Sequence, residues 1–127
     1  MVVPVSLQLS QGEMEIAELF WDIGLRKHNA LILVLMIRDV DFTSRDIERA
    51  CDLRQPEVSI ALTSLVKRKW IQVIREYVEH KGRPIKVYHL GKSLDNILEE
   101  LKGEIIGDYQ EKLKEIEIVR ELLKSRG

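Results

Sequence analysis

The chain has one cysteine in 127 residues, three histidines, three prolines and few aromatic side chains, at 6%. A lone Cys51 can form no internal disulfide and leaves no second thiol for a Cys-rich zinc site. His28, His80 and His89 are too dispersed to make a ligand set, so no metal is expected. The longest apolar run, Ala30 to Ile37, falls far short of the roughly 20 residues a membrane helix needs. Met1-Val2-Val3-Pro4-Val5 lacks a basic leader, so a soluble, cytoplasmic chain is expected. No Ser-His-Asp set, paired carboxylates or Gly-rich phosphate loop stands in a supporting context, so neither an enzyme nor a cofactor is expected.

What is present is one modest core and a segregated charge pattern. A 45% hydrophobic content over 127 residues supports a single core with at most an appendage. The net charge of −1 hides an asymmetry. Residues 1–40 carry 3 basic and 5 acidic groups, residues 41–92 carry 11 and 7, and residues 93–127 carry 6 and 9. A cationic middle at +4 lies between acidic flanks at −2 and −3, the pattern of a phosphate-facing module with a partner-facing remainder.

Residues 1–9 alternate loosely and read as an extended arm or short strand. Ser10-Gln11-Gly12-Glu13 fits a capping box, and Ile16, Ala17, Leu19, Phe20 and Ile23 continue at helical spacing toward a stop at Gly24. Asn29 to Arg38 is apolar nearly all round and reads as a buried central helix. Thr43 or Ser44 caps a short helix, Arg45 to Cys51, which puts Cys51 on an inward stripe as a small core hydrophobe. After the tight Asp52-Leu53-Arg54 connection, a helix over 55–69 starts at Gln55-Pro56.

The faces of that helix separate at 100° per residue. Val58, Ala61, Leu62 and Leu65 point inward, while Ile60, Thr63 and Lys67 point away, flanked by Ser59, Ser64 and Arg68. Residues 71–78 and 85–90 are rich in β-branched and aromatic residues and form a hairpin, with His80-Lys81-Gly82-Arg83 at a cationic tip. Ser93 caps a last helix of about 32 residues, roughly 48 Å long. Its stripe of Leu98, Leu101, Ile105, Tyr109, Leu113, Ile116 and Leu123 is spaced like a coiled-coil seam.

The stretch from Asp46 to Ile71, with Leu53, Gln55, Val58, Ser59, Leu62 and Leu65 in the pattern Leu-x-Gln-x-x-Val-Ser-x-x-Leu-x-x-Leu, resembles the recognition helix of winged helix-turn-helix transcription regulators. Gly82, Arg83, Pro84 and Tyr88 resemble their wing. The similarity is to the MarR, ArsR and TrmB-like kinds, especially small prokaryotic and archaeal ones, over residues 28 to 92. It implies an α+β, mostly helical fold: a winged helix-turn-helix domain over 10–92, with a two-stranded wing hairpin whose wing tip is 79–84, and a dimerisation helix over 93–127. It further implies a homodimer on double-stranded DNA with a pseudo-palindromic operator. Gln55, Ser59, Ile60, Thr63 and Ser64 would read bases, and Arg54, Lys67, Arg68, Lys81 and Arg83 would hold phosphates.

Three features depart from the family pattern. Lys69 stands where relatives often have glycine, Ile60 stands where a cation is frequent, and the cysteine and histidine clusters of metal sensors are absent. A small-molecule effector in the cleft between dimerisation helices and wings would refine the reading, though no residue pattern identifies one. The competing reading is a winged helix used for protein–protein interaction, to which Glu57 on the recognition helix lends support by repelling phosphate.

Overall fold

The computed structural model describes residues 8–79 and 82–127. The expected arm at 1–9 thus lies largely outside the described residues, as do His80 and Lys81. The chain divides into two compact units, 1–92 and 93–127.

The first unit is built around α2 (Lys27–Met36), in which every residue from Asn29 to Met36 is buried. A helix that is apolar all round has no face to give to water, so neighbours must cover it. Those neighbours are α1 (Gln11–Asp22), α3 (Ser44–Cys51) and α4 (Gln55–Lys67). Each contributes an inward stripe: Ala17 and Phe20 from α1, Ile47, Ala50 and Cys51 from α3, and Val58, Ala61, Leu62 and Leu65 from α4. Trp70, fully buried just after α4, closes the core.

The helix starts follow their caps. Ser10 Oγ accepts from Glu13 N–H at 3.1 Å, and Glu13 Oε1 accepts from Ser10 N–H at 2.9 Å, forming the expected box. Thr43 and Asp46 form a second box that begins α3. The connection from α3 to α4 turns at Asp52, whose left-handed backbone (φ 53) is one that aspartate tolerates.

Strands β2 (Ile71–Val78) and β3 (Pro84–Leu90) form the expected hairpin. The sheet has three strands rather than two, because β1 (Phe42–Thr43) pairs with the other side of β3, giving the order β1-β3-β2. Two residues are too few to show a period of two, so sequence pattern could not reveal β1. A bulge between Val73 and Arg75 shifts the β2–β3 register. His89 ties the sheet to the loop after α2, with one ring nitrogen 2.7 Å from Asp39 and the other 2.9 Å from Asp41.

The second unit is α5 (Leu94–Arg126), 33 residues capped by Ser93, whose side chain accepts from Asn96 N–H. It passes through Gly103 and Gly107 without a break, and a Cβ at either position would meet no neighbouring atom within 4 Å. Among the described residues, no helix is long and apolar enough to cross a membrane.

Two local constraints carry measurable consequences. The Arg38 guanidinium grips Glu13 through two bonds, Nε to Oε2 at 2.8 Å and a terminal nitrogen to Oε1 at 2.7 Å, and also donates to the Gln8 carbonyl. These bonds, opposed by burial, bring the Glu13 carboxyl from 4.5 down to about 2. A carboxylate whose pKa is lower folded than unfolded stabilises above the unfolded value and loses that contribution as pH falls through the folded one. Glu13→Gln should therefore cost about 1–3 kcal/mol in urea unfolding at pH 7, the worth of a charge-assisted hydrogen bond. The gap from wild type should close as pH falls from 4.5 to about 2.

The second constraint is Lys69, which has φ 64 where α4 hands over to β2. The turn is packed tightly, since a Cβ added at Gly91 would lie 2.7 Å from the Lys69 carbonyl oxygen. A left-handed lysine is strained where glycine would not be, so Lys69→Gly should raise stability by about 1 kcal/mol. A lowered melting temperature would overturn that expectation.

Candidate nucleic-acid interface

α4 is fixed by its inward stripe, and the same burial turns its opposite face to solvent. Gln55, Ser59, Ile60, Thr63 and Lys67 are exposed along it. Its N-terminus begins after Arg54, exposed and extended, whose backbone N–H donates to Glu57 Oε1 at 2.9 Å. The second carboxylate oxygen of Glu57 lies 3.4 Å from His28 Nε2 on α2. Glu57 is thus engaged with the start of its own helix and with α2, rather than presented among the outward residues.

Two expected site residues have other partners. The Ser64 hydroxyl accepts a hydrogen bond from the buried Asn29 amide at 3.2 Å, which places Ser64 on the flank toward α2 rather than in the outward row. The Arg68 guanidinium lies over the Trp70 ring, 3.7 Å from its centroid, and the side chain is half-buried. A helical wheel finds the angle of such residues but not what neighbouring helices offer them.

Beside the outward face, α4 and the sheet enclose an open trough of about 480 Å³, lined by Gln55, Ser59, Thr63, Lys67, Val73, Lys86 and Tyr88 among others. A second hollow of about 420 Å³ continues toward the start of α3 and the wing, past Arg45, Arg83 and Lys86 on the cationic side and Glu48 and Glu79 on the acidic side. Arg83 is exposed next to Gly82, whose φ of 73 turns the chain. Lys81, expected to work with it, lies outside the described residues. Burial, then the nearby Glu76 carboxylate, pushes the Tyr88 phenol up, so it remains a neutral hydroxyl at the trough's edge.

Arg45 and Lys86 were missed by sequence pattern. The period of β3 puts Lys86 and Tyr88 on one side, but it does not say that this side faces α4. Cys51 is buried, and burial pushes its thiol up to about 12 against the opposing pull of Arg38, which leaves it without thiolate character at neutral pH. Among the described residues, no group of three or more His, Cys, Asp or Glu could hold a metal ion.

On α5, Leu98, Ile105, Tyr109, Leu113, Ile116 and Leu123 are exposed, as are Ile106, Ile118, Val119 and Leu122. Leu101, expected in the same seam, is buried, with 5% of its surface exposed. On α1, Ile16, Leu19 and Ile23 also stand exposed at helical spacing.

This arrangement of four helices and a three-stranded antiparallel sheet has counterparts among solved structures. A possible transcriptional regulator from Methanosarcina mazei superposes with a TM-score of 0.58 over 83% of this chain and 82% of its own, at 13% identity. The fold is a winged helix-turn-helix. At that identity the likeness is one of fold alone. The Staphylococcus aureus multidrug-efflux regulator MepR matches at a TM-score of 0.47, with 17% identity over 81% of this chain and 74% of its own. MepR in complex with DNA matches at 0.44, with 20% identity over 91% and 94%; both superpose too loosely to support an argument. No protein-family model matches the sequence, and no curated protein does.

The contrast between Ser64 and the outward residues is measurable. Ser64→Ala would leave the buried Asn29 amide short of a partner and should cost about 1–2 kcal/mol in thermal unfolding. Ser59→Ala and Thr63→Ala, at exposed positions, should stay within about 0.5 kcal/mol of wild type.

Proposed function

We propose that this chain is a sequence-specific double-stranded-DNA-binding transcriptional regulator that acts as a homodimer. In this reading α4 enters the major groove, Gln55, Ser59, Ile60 and Thr63 meet base edges, and the wing rests on the backbone or adjacent minor groove. Arg54, Lys67, Lys81 and Arg83 hold phosphates, joined by Arg45 and Lys86, while Ser64 and Arg68 position α4 from behind. The observation that carries the proposal is the outward face of α4. Small hydrogen-bonding side chains stand exposed there beside a trough edged by Lys67 and Lys86, on a helix whose other face is buried.

The homodimer rests on the apolar side chains left open on α5, with Ile16, Leu19 and Ile23 of α1 in support, because monomers rarely leave apolar stripes of this length in water. Leu98, Ile105, Tyr109, Leu113, Ile116 and Leu123 form the proposed seam. A two-fold dimer reads a pseudo-palindromic operator with half-sites about 10 base pairs, or a multiple of that, apart. The rival reading as a protein-interaction module loses the support of Glu57, whose carboxylate is engaged by Arg54 N–H and His28.

Gel shift against duplex DNA at a series of salt concentrations tests the reading. About six phosphate contacts per protomer give a log–log salt slope near −11 for the dimer, and Arg83→Ala should flatten it by about 2. Absence of retardation at low salt, or retardation indifferent to salt, would refute DNA binding. Light scattering at micromolar concentration should report twice the 14.8 kDa chain mass, and a monomeric mass would refute the dimer.

A further inference from the structure

The middle of the outward face of α4 is apolar. Ile60 keeps 65% of its surface exposed, one turn beyond Pro56, one turn before Thr63 and two before Lys67. At an exposed helix position isoleucine is a poorer helix former than alanine, lysine or arginine, and Ile60 buries little in exchange.

Two further facts narrow what this face can recognise. Between Gln55 and Lys67 the single basic residue is Lys67, in the last turn, so no arginine at the helix centre offers guanine a bidentate contact. The Thr63 hydroxyl donates to the Ser59 carbonyl at 2.8 Å, so toward a base it presents an acceptor and a methyl group but no donor. In the major groove the apolar group on a base edge is the thymine 5-methyl. Set against a guanine or cytosine edge, Ile60 would remove water from polar groups and return no hydrogen bond.

We infer that Ile60 is a specificity-determining residue that packs on a thymine 5-methyl group, so that each half-site carries an A·T pair under the middle of α4. This rests on the DNA-binding reading and names the base chemistry that reading leaves open. Gln55, one turn and more toward the N-terminus, is suited by its amide to an adjacent adenine.

Deoxyuridine differs from thymidine by that methyl group alone. Duplexes retained by the wild-type chain from a random pool would be remade with each thymine replaced singly by uracil, and titrated at one salt concentration. One position per half-site should bind about fourfold more weakly with uracil, the worth of one buried methyl group. Ile60→Ala, an exposed change to a stronger helix former, should bind the thymine and uracil duplexes equally. If no position responds to uracil, or if Ile60→Ala keeps the same response, the inference is overturned while DNA binding stands. If no duplex is retained at low salt, DNA binding itself is overturned, and this inference with it.

Discussion

Residues Asn29 to Met36 have no side turned to water, and the first unit is arranged by the need to cover them. Three helices supply that cover, each with one apolar stripe, and the direction of every other face follows. α4 is held by Val58, Ala61, Leu62 and Leu65, so its row from Gln55 to Lys67 has nowhere to point but outward. Asn29 is the polar exception inside α2, and a buried amide needs a partner. Its bond to Ser64 fixes the rotation of α4 about its axis, which apolar packing, being non-directional, specifies less sharply.

The sheet uses a different means of attachment. β3 is paired on both sides, with β2 along its length and with β1 for two residues, and His89 adds two contacts to the carboxylates of the loop after α2. The wing base is thereby fastened to the end of the central helix. Lys86 and Tyr88 then face α4 across a trough instead of joining the solvent side of a free hairpin. Positive charge gathers where two elements distant in sequence meet, which explains how a chain with net charge −1 can present a cationic edge.

Much of this was legible in the residues. The Ser10–Glu13 box, Pro56 in the first turn of α4, the all-round apolarity of α2 and the stretches on either side of Gly82 each name an element through local physics, and those elements form nearly where expected. The ends were less legible. α1 stops at Asp22 and α4 at Lys67, because Ile23 and Arg68 serve as caps and the left-handed residues follow at Gly24 and Lys69. β1 was invisible, since two residues are extended by a partner and not by their own pattern.

The site divides along the same line. Sequence by itself determined which side chains share a face, because helical and strand periods are properties of the backbone: Ile60 with Thr63 and Lys67, Lys86 with Tyr88, and the open stripe of α5. Tertiary structure decided which of them remain available. It engaged Ser64 with Asn29, laid Arg68 over Trp70, turned Glu57 toward His28, and brought Arg45 and Lys86 to the hollow beside α4. Hydrogen bonds and ion pairs act over a few ångströms, here between residues tens of positions apart, Asn29 with Ser64 and His28 with Glu57, and a one-dimensional pattern holds no record of those distances.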